Sequence, residues 1–317
     1  MNILILSAGT RNKVVEYFKK EINGNVVVTD CNPLAPTLYI ANKYYIVPRI
    51  DSPNYLDTIL DICKKEKING VFSLIDPELS LIAKHKQKFI DLGVLPFVSD
   101  YEIVESCFDK YKMYTKCLEL GIPTVKSYIN LELFKKDLNN KIISFPVFAK
   151  PYNGSCSMNI QSIYCLEDLE YYMNKYNNLI IQEYMNETEY GVDVYVDVIS
   201  REIISIFIKK KILMRAGETD KAVSVKNKKL LNMIKSFVSK MGFVGQIDID
   251  VFEKEGEFYI SEVNPRFGGG YPHAYECGCN FPKYMNNNML GLVNQSDIEN
   301  YEEDIYMMKY LDLMIKK

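Results

Sequence analysis

Hydrophobic positions along this chain follow two different rhythms. Over the first hundred residues, short apolar runs at 2–6, 26–30, 44–47, 70–75 and 94–98 read as buried strands. Between them, segments 12–20 and 55–65 space their apolar residues as helices do. Strand, glycine turn, helix is the opening of a doubly wound α/β unit. Gly9 stands alone where a dinucleotide fingerprint needs three glycines, so nicotinamide binding is not supported. The loops after Leu6, Val28 and Ile75 fall at strand carboxyl ends, the usual ligand edge, and no single residue there stands out. Glu78 either caps a helix or faces a ligand.

From Ser106 the rhythm changes. Asp109-Lys110 opens a helix over 111–120, ended by Gly121-Ile-Pro123. Apolar strands follow at 145–150 and 179–185, then alternating strands at 189–197 and 201–208. Segment 211–220 reads as a loop, and 228–241 as an amphipathic helix stopped by Gly242. Two alternating runs, 245–252 and 257–261, with Glu255-Gly256-Glu257 read as the turn between them, predict a hairpin. The tail is polar from Gly291, with a closing helix expected over 305–315.

The hairpin concentrates the chemistry. Side chains two apart on a strand share a face, which groups Asp248 with Asp250, and Glu262 with Asn264 and Arg266. Pairing the strands brings Asp250 close to Glu262 and Asn264, an arrangement that needs a cation between the like charges. Carboxylate and amide oxygens are hard ligands suited to Mg²⁺. A guanidinium beside them matches phosphoryl or carboxylate oxygens. The plainer alternative is a strand end with a solvated charge pair and a glycine turn. A second concentration is Phe145-Pro-Val-Phe-Ala-Lys150-Pro-Tyr-Asn-Gly154-Ser-Cys-Ser157. There an apolar strand delivers one lysine to a small-residue loop whose N–H groups can cradle phosphate. A plain turn after a strand is the competing reading.

These motifs resemble the ATP-grasp superfamily, most closely its carbamoyl-phosphate-synthase-like branch of carboxylate–amine ligases, over most of the 317 residues. The resemblance implies an N-terminal α/β domain at 1–107 and a two-lobed ATP-grasp domain at 108–317. It implies ATP with Mg²⁺, or Mn²⁺ in its place, held by Asp250, Glu262 and Asn264, with Asp248 as the rival of Asp250. Lys110 and Lys150 would meet the phosphates, and Gly154, Ser155 and Ser157 would form the flap over them. The backbone of Glu183, Tyr184 and Met185 would read the adenine edge. Glu189 would bind the ribose, with Glu187 as its rival. Arg266 and Arg215 would face the reacting anionic oxygens. Two departures stand out: Cys156 and Met158-Asn159 replace the usual flap glycines, and Asn186-Glu-Thr188 lacks the usual glycine.

The expected activity is ligation of a small carboxylate to an amine, or to a thiol, through an acyl phosphate. A non-catalytic nucleotide-binding protein and a small-molecule kinase are the alternatives. Full carbamoyl phosphate synthesis is set aside, because one set of motifs is present and there is no internal repeat.

Composition narrows the partners. A net charge of −3 gives no basic footprint, which argues against nucleic acid; the lysines at 209–211 read as a solvated face. Eight scattered cysteines suit reduced, cytosolic thiols. Two histidines are too few for a hydrolytic triad, and His273 reads as structural. No run reaches membrane-spanning length and no signal segment opens the chain, so the expected protein is cytoplasmic. Its expected partners are small carboxylates and amines, with a homodimer as the open question of assembly.

Overall fold

The apolar runs of the first hundred residues become the parallel strands of one sheet. The computed structural model describes residues 1–154 and 161–316. Strands β1 (Ile3–Leu6), β2 (Val26–Asp30), β3 (Lys43–Ile46), β4 (Gly70–Ser73) and β5 (Leu95–Pro96) lie in the order 3-2-1-4-5. Both faces are covered, which is why these strands carry so few polar residues. Ile3, Ile5, Val26 and Val28 pack with Val14 and Phe18 of the Asn12–Glu21 helix. Leu4, Leu6 and Val27 pack instead with Ile59 and Ile62 of the Tyr55–Lys65 helix. The unit is doubly wound.

Two antiparallel sheets follow. Strands β6 (Ser127–Tyr128), β7 (Val147–Pro151), β8 (Gln161–Ile163) and β9 (Leu179–Glu183) form a small lobe in the order 6-9-7-8. The larger lobe contains β10 (Glu189–Val196), β11 (Ile203–Arg215), β12 (Glu218–Ser224), β13 (Gly245–Lys254), β14 (Glu257–Asn264) and β15 (Tyr306–Met308). Their order is 14-13-10-11-12-15. The helix Lys228–Met241 lays Leu230, Leu231, Ile234, Phe237, Val238 and Met241 on the back of this sheet. Asn227 caps its start by accepting from the Leu230 N–H, and Gly242 ends it in the left-handed conformation at φ 74°.

Two expectations fail. Residues 211–220 are not a loop: β11 runs on through Lys211 to Arg215, turns at Ala216-Gly217, and returns as β12. Its in–out alternation continues through the lysines, because those facing the cleft find carboxylates there. The closing helix over 305–315 does not form either. Tyr306–Met308 instead pairs with the outer edge of β12. A short helix with no surface to pack against is marginal, whereas that edge offers ready backbone partners. Residues 309–316 have no regular structure and expose Tyr310, Leu311 and Leu313.

At the carboxyl edge of the parallel sheet Glu78 is fully enclosed, hydrogen-bonded by the hydroxyls of Tyr55 and Ser73. Burial pushes its carboxyl up to about 8; nearby Ser7 opposes the rise and Asp30 adds to it. An unfolded glutamate titrates near 4.5. Between these values the folded protein keeps a proton that the unfolded chain has released. The associated stability is therefore complete below the lower value and is lost as pH rises through the upper one. Denaturant melts at pH 5 and pH 8.5 should show wild-type stability falling with pH, and Glu78→Gln falling less. Parallel slopes for the two proteins would mean that Glu78 is ionised at neutral pH.

Candidate active site

One face of the larger sheet carries charge where the other carries valine and isoleucine. Tyr190, Val192 and Val194 of β10 join the core on the back, which turns Glu189, Gly191 and Asp193 to the front. On β11, Ile206 and Ile208 likewise leave Phe207, Lys209 and Lys211 in front. Register sets the neighbours. One row across the sheet reads Lys209, Gly191, Asp250, Glu262, and the next reads Phe207, Asp193, Asp248, Asn264.

So many carboxylates on one face need cations among them, and two lysines are inserted there. Lys209 pairs with Asp193, both side chains being about 98% enclosed. Lys211 Nζ lies 2.7 Å from Glu189 Oε1 and 2.6 Å from Asp250 Oδ1. Burial alone would depress the Lys211 pKa, but Asp250 and Glu189 outweigh it and keep the ammonium charged. Gly191 makes room for both lysines: a Cβ there would lie 2.8 Å from Lys209 Cε and 3.3 Å from Lys211 Cε. Asp248 is pushed up to about 7 by burial and then by Asp250 and Asp193.

The turn after β14 explains its three glycines by space. A Cβ on Gly268 would meet the Asp248 carboxylate at 2.4 Å, one on Gly269 would meet Arg11 Nη1 at 2.5 Å, and one on Gly270 would meet Lys209 Cε at 2.8 Å. Each glycine lies against a charged side chain. Arg266 leaves this turn toward the N-terminal domain. Its Nε and Nη2 donate to the two oxygens of Asp76 at 2.9 and 3.1 Å. Nη2 also donates to Asn264 Oδ1 at 3.1 Å, and Nη1 donates to the Phe267 carbonyl at 3.2 Å.

Between this face, the small lobe and the N-terminal domain lies a cleft of about 620 Å³. Val125, Phe148, Met185, Met214 and Phe252 give it apolar walls. Lys150, near the end of β7, projects into it and is half-buried. Burial lowers its pKa, and Glu262, Asp250 and Glu189 oppose that fall. Lys110 follows Asp109, whose carboxylate caps the Lys110–Glu119 helix, and its Nζ donates to the Gly154 carbonyl at 2.8 Å.

Two family models match the chain. One, described as a PylC-like N-terminal domain, covers residues 3–97. The other, described as ATP-grasp in the biosynthetic pathway with Ter operon, covers residues 175–312. Among curated relatives, the carbamoyl-phosphate synthase of Methanobrevibacter smithii is 26% identical over 185 residues, 57% of this chain and 48% of that protein. The chain thus spans about half the length of that relative. Among solved structures, N5-carboxyaminoimidazole ribonucleotide synthetase from Thermotoga maritima superposes with a TM-score of 0.70 at 20% identity, over 93% of this chain and 77% of that one. This chain is a member of the ATP-grasp superfamily. Its curated sequence relatives include carbamoyl-phosphate synthases, at 26% identity or less. L-amino acid ligase from Bacillus licheniformis shares the fold, with a TM-score of 0.68 at 18% identity over 91% of this chain and 74% of that one.

The ATP-grasp cleft gathers most of the residues singled out by sequence. Lys110, Lys150, Gly154, Glu183, Met185, Glu189, Asp250, Glu262, Asn264 and Arg266 all line it, and so does Asp248. Ser155 and Ser157 lie outside the described residues. Tyr184 faces away, tilted against Phe148 at 4.8 Å and lining a separate hollow of about 200 Å³. Glu187, between β9 and β10, accepts from the Glu255 N–H at the tip of the β13–β14 hairpin and does not line the cleft. Arg215 corrects an expectation: its side chain is more than half exposed and pairs with Asp220 at 2.8 Å, away from the cleft lining. It leaves the cleft because β11 shifts register between Lys211 and Met214, which gives the cleft-facing place to Met214. His273 is buried, with Nε2 at 2.8 Å from the Ile305 carbonyl and its ring edge-on to Phe207; its place is in the core.

Sequence reasoning missed Lys211, Asp76 and Arg11, all of which line the cleft. The alternation of β11 carried a signal for Lys211. Nothing local marked the other two.

The donor set suits Mg²⁺. Asp250 and Glu262 are cross-strand partners beside Asn264, a hard-oxygen set with only two carboxylates. Among the described residues no group of three or more His, Cys, Asp or Glu is gathered for a metal. Lys211 already bridges Asp250 and Glu189, which shows that this corner holds positive charge. Lys211→Met should therefore lower the melting temperature in metal-free buffer, and Mg²⁺ should then raise it by more than in wild type. An equal Mg²⁺ response in the two proteins would separate Lys211 from the cation corner.

Proposed function

We propose that this protein is an ATP- and Mg²⁺-dependent ligase that joins a small carboxylate to an amine, less readily to a thiol, through an acyl phosphate. The observation that carries this reading is the meeting, in one cleft, of two lysines with an Asp–Glu–Asn hard-oxygen set. Lys150 and Lys110 would neutralise the phosphates of ATP, and Glu189 would accept from the ribose hydroxyls. Asp250, Glu262 and Asn264 would hold Mg²⁺, which spreads the charge of the transferring phosphoryl group. A substrate carboxylate oxygen forms a bond to the γ-phosphorus while the bond to ADP breaks. The amine nitrogen then attacks the acyl carbon, phosphate leaves, and the amine proton passes to solvent. Positioning and charge neutralisation suffice for such chemistry.

Arg266 serves here as a positioning residue. Its guanidinium is engaged by Asp76, Asn264 and the Phe267 carbonyl, so it holds a metal-side amide against the N-terminal domain. In this reading Mn²⁺ can stand in for Mg²⁺, and the protein works in the cytoplasm. The N-terminal domain spans residues 1–107, followed by the ATP-grasp domain from 108. The last strand of the parallel sheet ends at Pro96, and the first helix of the second unit begins at Lys110.

With a matched acid and amine, product analysis should give ADP and phosphate, and hydroxylamine should trap a hydroxamate. Glu262→Gln should keep the fold and lose turnover at least about a hundredfold, the upper range for groups that merely support a ligand. AMP and pyrophosphate as products would overturn the mechanism. ADP released without a trappable acyl group would indicate transfer to a hydroxyl.

A further inference from the structure

The cleft reaches the N-terminal domain at a cluster that the nucleotide does not need. Arg11 stands just before the Asn12–Glu21 helix, and its Nη2 lies 3.0 Å from Glu218 Oε1. Glu218 opens β12 at the tip of the β11–β12 hairpin, and its second oxygen lies 2.7 Å from Lys309 Nζ. Both Arg11 and Glu218 line the cleft and rest on Gly269, where a Cβ would come within 2.5 Å of Arg11 Nη1 and 3.0 Å of Glu218 Cδ.

We propose that Arg11 binds a second anionic group on the acid substrate, a carboxylate distinct from the one that is activated, and that Glu218 occupies its place while the cleft is empty. Three observations carry this. Arg266 has little left to offer a ligand, since Asp76, Asn264 and a carbonyl take four donated bonds. Arg11, by contrast, pairs among the described residues only with Glu218, lines the cleft, and keeps 26% of its side chain exposed. Glu218 can leave Arg11 without becoming an unpaired charge, because Lys309 stays with it. An incoming carboxylate thus exchanges one partner of Arg11 for another. The floor at Gly269 adjoins Gly268 and therefore Asp248, which places this anion subsite next to the metal hairpin.

The inference rests on the ligase reading for the word substrate, but its test does not require turnover. The protein, saturated with a non-hydrolysable ATP analogue and Mg²⁺, is titrated calorimetrically with the α,ω-dicarboxylates from malonate to adipate. Each is compared with the monocarboxylate and the ω-amino acid of equal length. At least one dicarboxylate should bind about tenfold or more tightly than its monocarboxylate, the usual worth of one charge-assisted hydrogen bond. Arg11→Met should abolish that preference without changing affinity for the ATP analogue or the melting temperature. Glu218→Gln should tighten dicarboxylate binding, because the occupant of the site has lost its charge. Absence of a dicarboxylate preference, its survival in Arg11→Met, or a preference for the ω-amino acid would each overturn the proposal. A dicarboxylate preference without ADP release under any acid and amine would keep the subsite and sink the ligase reading. Turnover of the dicarboxylates indifferent to Arg11→Met would do the reverse.

Discussion

Everything in the cleft depends on how one sheet face neutralises its carboxylates. Glu189, Asp193, Asp248, Asp250 and Glu262 stand on three adjacent strands, and the register leaves them no way to separate. Uncompensated charge at this burial would cost several kcal/mol for each ion, on the order of the whole stability of a domain. The fold answers with Lys209 from below, Lys211 from the side, Lys150 from the small lobe and Arg266 from the turn. Asp248 shows that the compensation is partial, since burial and its acidic neighbours hold it well above the usual carboxylate range. A divalent cation and a polyphosphate are the ligands that such an arrangement favours, because one supplies positive charge to the acids and the other faces the lysines.

The sequence exposed one half of this balance and hid the other. The acidic half was legible because each strand of the hairpin groups its own acids on one face; a bulge beyond Ile260 then slips the register by one and sets Asp250 against Glu262 instead of Ser261. The basic half looked like a solvated run, since three consecutive lysines usually are one. Parity was the missed signal. Ile206 and Ile208 point to the core, so Lys209 and Lys211 must share the face of Asp193, whereas Lys210 belongs to the other side and is exposed. Reading β11 as ending at Ile208 removed that argument, and it also turned the following hairpin into a loop. Arg215 was expected in the cleft from the family resemblance, which a shift of register within β11 overrides.

Contacts between domains were not legible at all. Asp76 and Arg266 are 190 residues apart, and nothing near either residue names the other. Similarly, the closing segment carries apolar residues at spacings that fit a helix or a strand. Only the free edge of β12 decides between them.

Among the described residues, two ion pairs join the N-terminal domain to the ATP-grasp core at this cleft, and their difference has a mechanical meaning. Arg266–Asp76 is bidentate, with both side chains nearly nine-tenths enclosed. Removing one partner from a pair so buried costs about 3–5 kcal/mol, because the other charge is left uncompensated. Arg11–Glu218 is a single contact with side chains 26% and 47% exposed. Pairs of that kind contribute up to about 1 kcal/mol, little more than thermal energy. The first pair thus fixes the hairpin carrying Glu262 and Asn264 against the parallel sheet, while the second lets the tip of β11–β12 move. A cleft hinged in this way can admit a small acid at its far end without disturbing the metal-side register, because the residues that must stay and those that must yield lie on different hairpins.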